Sequence, residues 1–239
     1  MENLKGKIIV ITGATRGMGF AMSEKLASMG AKVIMACREK KSGEASVSRL
    51  KQKGLDVEFA LCDLEKTRDI DKMAEGLSNK FDHIDVLINN AGISGEPMDT
   101  TIETINLGTF EKIMNVNLRG TLWTISKLIS LLKKSKDARI INFSSGLAQL
   151  TVPRMGPQIS YSISKTAINQ LTWTFADHLK NTSVKIFAVD PGWVKTDMGG
   201  PDAMLEIKDG IDTPVWLATE AADKLKSGYF YKERKILSW

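Results

Sequence analysis

A tyrosine and a lysine stand four residues apart in the segment Tyr161-Ser-Ile-Ser-Lys165. Residues i and i+4 of a helix share one face, so the Lys165 ammonium would lie near the Tyr161 hydroxyl or near a molecule bound beside it. A nearby cation favours the phenolate, so we expect Lys165 to lower the Tyr161 pKa from its ordinary value of about 10 toward neutrality. Tyr161 would then exchange protons near neutral pH. The alternative is a pair that only packs on the surface.

A glycine-rich segment, Thr12-Gly-Ala-Thr-Arg-Gly-Met-Gly19, directly follows the apolar run Lys7–Ile11. A strand that turns sharply into a helix exposes backbone N–H groups, which bind phosphate with help from the helix dipole. Gly13 allows the tight turn, Gly17 lets backbone approach a pyrophosphate, and Gly19 lets helix and strand pack closely. The alternative is an ordinary turn. The predicted dinucleotide-binding residues here are Gly13, Thr15, Arg16, Gly17, Met18 and Gly19.

The residues after the second apolar run, Cys37 and Arg38, indicate which dinucleotide binds. A site for NAD places a carboxylate there to bind the ribose 2′-hydroxyl. An uncharged residue followed by arginine instead suits a 2′-phosphate, which a guanidinium can bind with two hydrogen bonds. Arg16 offers a second cation, whereas Glu39 argues slightly against this interpretation. We therefore predict NADP(H), the alternative being two arginines that face only solvent.

Polar or small residues also follow the third and fourth apolar runs. Asp63 could accept a hydrogen bond from an adenine amino group, or it could serve the start of the helix predicted near Thr67. Small residues after the fourth run let backbone approach a ligand, although an ordinary loop would look the same. The predicted cofactor-binding residues of these two segments are Asp63, Leu64, Asn90, Ala91 and Gly92.

Two further segments follow the fifth and sixth apolar runs. Ser145, in Asn142-Phe-Ser-Ser-Gly146, precedes Tyr161 by sixteen residues. The segment Asp190-Pro-Gly-Trp-Val-Lys-Thr196 combines a rigid turn with an aromatic side chain, which suits the framing of a ring. In the alternative interpretation, Trp193 only packs on the core.

The charge distribution argues against a nucleic-acid partner. The 239 residues include 33 Lys and Arg against 28 Asp and Glu, a net charge of +5, and 43% are hydrophobic. The basic clusters at Lys133-Lys134 and Lys232–Lys235 are short and lack interleaved aromatic residues, so we interpret them as solvated surface. The composition is typical of an ordinary soluble globular protein.

The start of the sequence, the cysteines and the histidines argue against several other classes of protein. The start of the sequence has no long apolar segment, so we expect neither a signal peptide nor a membrane contact. Cys37 and Cys62 lack CxxC spacing, so we expect no metal site and no disulfide framework, as is typical of a cytoplasmic protein. His83 and His178 are the only histidines. Because no G-x-S-x-G segment is present either, a Ser-His-Asp hydrolase is disfavoured.

Strand-like and helical patterns alternate along the whole chain. This alternation predicts an α/β fold in which a doubly wound parallel sheet of about seven strands carries helices on both faces. No linker divides the chain, so we expect residues 1–239 to form a single dinucleotide-binding catalytic domain. The predicted strands are Lys7–Thr12, Lys32–Cys37, Asp56–Cys62, Val86–Asn89, Arg139–Ser144, Val184–Val189 and Tyr229–Tyr231. The predicted helices are Gly17–Met29, Gly43–Lys53, Thr67–Phe81, Thr109–Lys134 and Ser160–Lys180.

Taken in order, these motifs resemble the short-chain dehydrogenase/reductase family over nearly the whole chain. The matching positions are Thr12 to Gly19, Asp63, Asn89 to Gly92, Asn117, Ser145, Tyr161 with Lys165, and Pro191-Gly192 with Thr196. The segment Pro191–Met198, the pair Cys37-Arg38 and the ending Gly228–Trp239 resemble the carbonyl-reductase branch in particular.

The resemblance implies a role for each matching residue. Tyr161 would be the general acid that protonates a carbonyl oxygen, and Lys165 would bind the nicotinamide ribose. Ser145 would hydrogen-bond the carbonyl oxygen, with Ser144 as the fallback, and Asn117 would hold a water that relays protons to Lys165. The implied catalytic residues are thus Asn117, Ser145, Tyr161 and Lys165. Further cofactor contacts would come from Pro191, Gly192, Val194 and Thr196, beside those named above.

The resemblance implies an NADPH-dependent reductase of apolar aldehydes or ketones, which can also oxidise alcohols. The alternative is a catalytically idle NADP(H) sensor or scaffold. Residues 193–210 would form a substrate lid, and the pocket would include Leu147, Leu150, Val152, Met155, Trp193 and Met198. The segment between Ser145 and Tyr161 is slightly longer than in the family and contains Pro153, Met155, Gly156 and Pro157. We expect a homodimer or homotetramer that pairs through the helices predicted at Thr109–Lys134 and Ser160–Lys180.

Overall fold

The computed structural model describes residues 4–97, 99–152 and 158–239, which are built around one sheet of eight strands. The spatial order is β3-β2-β1-β4-β5-β6-β7-β8, and every neighbouring pair is parallel except β7 and β8. The strands are β1 (Ile8–Thr12), β2 (Lys32–Cys37), β3 (Val57–Leu61), β4 (Val86–Asn89), β5 (Ala138–Phe143), β6 (Val184–Val189), β7 (Phe230–Lys232) and β8 (Lys235–Leu237).

Helices cover both faces of this sheet. They are α1 (Gly17–Ser28), α2 (Lys40–Lys51), α3 (Thr67–Lys80), α4 (Leu107–Met114), α5 (Thr121–Leu132), α6 (Ile159–Leu179), α7 (Ile207–Gly210) and α8 (Asp212–Thr219). A π-helical segment, Asn115–Gly120, joins α4 to α5, and short 3₁₀ turns occupy Gly146–Ala148 and Ala222–Lys224. Within the described ranges, no helix is both long and apolar enough to cross a membrane.

The apolar strands separate two core layers. In β1, Ile9 and Ile11 pack with residues of α1, α2 and α8, whereas Val10 packs with residues of α3, α5 and α6. This alternation follows from the two-residue period of a strand, since successive side chains point to opposite faces. A parallel sheet that is buried on both faces therefore needs unbroken apolar runs, and β1 is such a run.

The fold confirms the predicted alternation, and each of the seven predicted strands lies within one residue of an observed one. The antiparallel strand β8 was not predicted. Its hairpin turns at Glu233 and Arg234, whose φ values are 48° and 59°. A two-residue turn with both residues left-handed usually contains Asn or Gly, so these two side chains carry no turn signal. The helix predicted over Thr109–Lys134 is interrupted by the π-helical segment, and α7 and α8 were also not predicted.

A buried carboxylate joins several elements at the amino-terminal edge of the sheet. Asp85, which precedes β4, accepts hydrogen bonds from Lys7 Nζ at 3.0 Å, from Ile8 N at 2.9 Å and from Ser135 Oγ at 2.8 Å. His83 Nε2 lies 3.2 Å from the same carboxylate. Burial disfavours the charge of Asp85, but these hydrogen bonds outweigh it and lower the pKa of Asp85.

We expect Asp85→Asn to lower the free energy of unfolding by about 2 kcal/mol, because charged hydrogen bonds in a buried site are lost. A group with a lowered pKa stabilises the fold above its unfolded-state pKa and loses that effect on acidification. The difference between the two proteins should therefore shrink as the pH falls below about 4. Urea unfolding at several pH values measures both effects. Glu24→Gln, which breaks an exposed pair with Lys53, is the control and should change little. Equal losses in the two variants would contradict the prediction.

Candidate active site

A cleft of about 830 Å³ opens at the carboxyl ends of the central strands. The strand order reverses between β1 and β4, which is the point where sheets of this kind bind ligands. Most of the predicted cofactor-binding residues line this cleft: Gly13, Thr15, Arg16, Gly17, Met18, Gly19, Arg38, Asp63, Leu64, Asn90, Ala91, Gly92, Tyr161, Lys165, Pro191 and Thr196. The other two predicted residues, Gly192 and Val194, do not line the cleft. Gly192 faces Leu205, and the buried Val194 packs against Gly210.

The glycine-rich segment is held against the end of β4. Asn90 Nδ2 donates to Thr12 O at 2.9 Å and to Gly13 O at 3.2 Å, and Ala91 N donates to Thr12 Oγ1 at 3.1 Å. Gly13 has a φ of 66°, and a Cβ atom there would lie 2.9 Å from Ala91 Cα. A Cβ atom on Gly19 would collide with Gly13 O. Two of the glycines are therefore required by close backbone contacts, and the Asn90 amide fixes the turn.

Two exposed arginines stand at the outer end of the cleft. The Arg38 side chain pairs with Glu39 at 3.7 Å, and the Arg16 side chain, 73% exposed, pairs with Asp197 at 2.7 Å. Both guanidinium groups can reach an anion in the cleft. Exposed ion pairs of this kind contribute little energy, so they would yield easily to a bound phosphate.

The Asp63 carboxylate accepts a hydrogen bond from Glu65 N at 3.1 Å and lies 3.4 Å from Lys66 Nζ. It therefore stabilises the turn before α3, and it also lines the cleft.

Lys165 lies at the inner end of the cleft and is only 4% exposed. Its Nζ atom donates to Phe143 O, at the end of β5, at 2.7 Å. A Cβ atom on Gly92 would lie 3.4 Å from Lys165 Nζ and 3.3 Å from Asn117 Oδ1. The absence of a side chain at Gly92 therefore leaves room beside the ammonium group.

Asn117 fixes the loop after β4 to α6. Its Oδ1 atom accepts from Ile93 N at 2.8 Å, and its Nδ2 atom donates to Ile93 O at 2.9 Å and to Ser164 Oγ at 3.0 Å. These bonds use both amide hydrogens and one of the two acceptor positions of Oδ1. The side chain belongs to the π-helical segment, whose wider turn the sequence pattern does not reveal.

Tyr161 and Ser145 are brought together by α6 and by the turn after β5. The Ser145 hydroxyl acts on the Tyr161 phenol as a hydrogen-bonding group that lowers its pKa, and Ser145 Oγ accepts from Leu147 N at 3.2 Å. Ser144, the fallback residue, is buried and donates to Asn169 Oδ1 at 2.6 Å. The hydroxyl that acts on the phenol is therefore that of Ser145, although Ser144 is the serine that lines the cleft.

The prediction that Lys165 lowers the pKa of Tyr161 toward neutrality is wrong. Burial raises the pKa of Tyr161 to about 12, the Asp190 carboxylate acts in the same direction, and the hydrogen bond to Ser145 opposes them. Burial also lowers the pKa of Lys165 to about 8. The Lys165 ammonium lies 5.5 Å from the centre of the Tyr161 ring and donates to a backbone carbonyl instead. The desolvation of both groups depends on packing and is not visible in the sequence.

Among the described residues, three further charged residues lie near the predicted catalytic residues and were not predicted. Glu96 accepts from Ser160 N at 2.9 Å and from Ser160 Oγ at 2.8 Å, at the start of α6. Asp190 is 4% exposed, and its carboxylate lies 3.0 Å from Lys232 Nζ. Asp190 stands directly after β6, in the segment interpreted as a rigid turn that frames a ring, but no role was predicted for Asp190 itself. Lys232 belongs to the basic cluster that was interpreted as solvated surface, and its pairing with the buried Asp190 corrects that interpretation. Glu96 belongs to no motif that could have revealed it.

The predicted apolar pocket is only partly assembled. Of its described members, Met198 lines the cleft. Leu150 and Val152 are exposed, as is Trp193, whose Nε1 atom donates to Gly199 O at 2.8 Å. Leu147 is half-buried. Met155 and its neighbours Pro153, Gly156 and Pro157 lie outside the described residues.

The chain is similar in sequence to a family of known proteins. The sequence model of the family described as short chain dehydrogenase matches residues 7–204. Carbonyl reductase (NADPH) 1 of Bos taurus is 26% identical, and the match covers 97% of this chain and 98% of the relative. The 3-oxoacyl-acyl-carrier-protein reductase of Aquifex aeolicus is 33% identical, over 82% of this chain and 77% of the relative.

Among solved structures, a short chain dehydrogenase from Escherichia coli complexed with NADPH superposes with a TM-score of 0.87. It is 22% identical, and the superposition covers 96% of this chain and 97% of that chain. At this identity the likeness concerns the fold alone.

We expect Gly19→Ala to lower the free energy of unfolding by about 2 kcal/mol, because the new methyl group must displace the Gly13 backbone. The distorted turn should also bind dinucleotides at least about tenfold more weakly, a change of about 1.4 kcal/mol. Thermal unfolding and fluorescence titration with NADPH measure the two effects. Gly76→Ala is the matched control, since a Cβ atom there, within α3, meets nothing within 4 Å. Wild-type stability in Gly19→Ala would contradict the close approach of Gly19 to Gly13.

Proposed function

We propose that this chain, which belongs to the short-chain dehydrogenase family of oxidoreductases, transfers hydride between NADP(H) and the carbonyl carbon of an apolar aldehyde or ketone. The observation that carries the proposal is the arrangement along one cleft. The glycine-rich turn lies at its outer end, and Tyr161, joined to Ser145, lies at its inner end beside the buried Lys165.

The outer end of the cleft fits a dinucleotide. Close backbone contacts require glycine at Gly13 and Gly19, and Gly17, with a φ of 54°, begins α1. The N–H groups at the start of α1 have no side-chain cap, which leaves them free to bind a pyrophosphate. Arg38, and not a carboxylate, follows β2, and this supports a ribose 2′-phosphate beside Arg38 and Arg16. The names of the bovine relative and of the E. coli complex, both with NADPH, support the same cofactor.

The residues at the inner end divide the proton chemistry between them. When bound, NADPH supplies the hydride that reduces the carbonyl carbon. Tyr161, with a pKa of about 12, keeps its proton at neutral pH and donates it to the carbonyl oxygen. The Ser145 hydroxyl hydrogen-bonds the same oxygen and stabilises the negative charge that develops on it. The buried Lys165 binds the nicotinamide ribose, and Asn117 has one acceptor position left for a water that returns a proton.

The surroundings of the site complete the proposal. We assign residues 193–210 as the substrate lid because Met198 lines the cleft and a bridge between Val194 and Leu205 closes this segment into a loop. We include all 239 residues in one catalytic unit. Exposed side chains on α5 and α6, Leu122 and Ile163, support a homodimer or homotetramer that pairs through these helices. The two cysteines are buried and unpaired, which suits a cytoplasmic location.

Tyr161→Phe should reduce the turnover of a panel of apolar carbonyl compounds by about 10²–10⁴-fold, because the proton donor is lost. The affinity for NADPH should remain nearly unchanged, since the phenol hydroxyl is not needed to bind the dinucleotide. Steady-state assays and NADPH titration measure the two quantities. Tyr229→Phe, which removes a hydroxyl from a ring that packs edge-on against Trp173 and does not line the cleft, is the control and should retain activity. Tight NADPH binding without turnover by the wild-type protein would favour a sensor over an enzyme.

Arg38→Asp should weaken NADPH binding at least about tenfold and leave NADH binding nearly unchanged, because a carboxylate repels the 2′-phosphate and can bind a 2′-hydroxyl. Titration of both dinucleotides measures the ratio of the two dissociation constants. The control is Arg68→Asp, which makes the same charge change on an exposed residue of α3. An Arg38→Asp protein that still prefers NADPH would show that other groups hold the phosphate.

A further inference from the structure

An ion pair between a half-buried lysine and a buried carboxylate lies directly behind the proposed catalytic hydroxyl groups. Asp190, which follows β6, is 4% exposed, and its Oδ2 atom lies 3.0 Å from Nζ of Lys232, the last residue of β7. Its Oδ1 atom accepts from Gly192 N at 2.9 Å. A Cβ atom on Gly146 would lie 3.1 Å from Asp190 Oδ2, so the carboxylate touches the backbone next to Ser145. The hydrogen-bonded ladder of the sheet does not require any of these side-chain contacts.

We propose that Lys232 is a positioning residue which, through Asp190, controls how firmly the Tyr161 phenol holds its proton. The inference rests on the proposed role of Tyr161 as proton donor. Asp190 is a carboxylate inside the catalytic cluster, and a bare negative charge there would strongly favour the protonated phenol. Lys232 supplies the compensating charge from the C-terminal hairpin. The Asp190 carboxylate does act on Tyr161, since it contributes to the raised pKa of that side chain.

Among the described residues, the charged groups around the phenol come from four elements. Lys165 of α6 lies 5.5 Å from the centre of the Tyr161 ring. The Glu96 carboxylate, from the loop after β4, accepts a hydrogen bond from Ser160, the residue before Tyr161. Asp190 follows β6, and Lys232 of β7 reaches the site through Asp190. Lys232 is about one-third exposed, and it can therefore be replaced with less damage than its buried partner.

The two partners must act in opposite directions. Lys232→Met leaves the Asp190 carboxylate uncompensated, so the phenol should ionise at higher pH. Asp190→Asn removes the negative charge and leaves Lys232 unpaired, so the phenol should ionise at lower pH. Each shift should be about one to two pH units, as expected for a unit charge about 6–12 Å away at an effective dielectric constant of about 20. The double variant removes both charges, and its ionisation should lie between those of the two single variants.

The test is a spectroscopic titration of tyrosinate near 295 nm, in which the spectrum of each protein is compared with that of its Tyr161→Phe counterpart. This difference isolates Tyr161 from Tyr229 and Tyr231, and it requires no substrate. The pH dependence of alcohol oxidation, which needs the phenolate, is the second measurement and should shift in the same directions. A shift in the titration without any enzymatic turnover would support the ion pair while contradicting the proposed function.

Two further variants separate charge from folding. Lys232→Arg keeps the charge and should titrate like the wild type, which a loss of packing alone would not produce. Lys224→Met removes a lysine that pairs with Glu220 on the surface and should shift nothing. If Asp190→Asn does not fold, Lys232→Met and Lys232→Arg still decide the question. Equal titration midpoints in these two variants would overturn the proposal, as would shifts of the same sign in Lys232→Met and Asp190→Asn.

Discussion

The burial of one ammonium group constrains the whole inner end of the cleft. Lys165 is 4% exposed and donates to Phe143 O, at the end of β5. A buried charge destabilises the fold unless polar partners are held in place around it. The helix α6 must therefore be held firmly on the sheet. Asn142 donates to Thr172, and Ser144 donates to Asn169, and both bonds join the end of β5 to α6. These buried bonds hold the helix that carries both Tyr161 and Lys165.

The loop after β4 connects the two ends of the cleft. Asn90 holds the glycine-rich turn, and three residues later Ile93 is held on both backbone atoms by Asn117. Gly92 lies between them and leaves room beside Lys165. A short segment therefore sets the distance between the glycine-rich turn and the proposed catalytic residues. In a dehydrogenase this distance decides where the reactive ring of a bound dinucleotide comes to lie.

The sequence predicted the features that depend on local patterns. Apolar runs identified β1 and six further strands, because strands buried on both faces must be apolar throughout. Glycine spacing identified the turn at Gly13, where the backbone requires a positive φ. The missed features depend on contacts between distant residues. The π-helical segment keeps an ordinary helical composition, and the proton affinity of Tyr161 is set by burial and by Asp190, 29 residues away in the sequence.

The segment after Ser145 and the C-terminal hairpin meet at one place. The family match ends at residue 204, and the C-terminal hairpin follows it. This hairpin contributes Lys232 behind Ser145, and Ser238 binds Gln149 at 3.1 Å and Thr151 at 2.9 Å. The segment after Ser145 is thus held by residues that lie beyond the range matched by the family model. Such a support can vary while the chemistry of the site stays the same, because the hairpin contacts Asp190, Gln149 and Thr151 and not the reacting groups themselves.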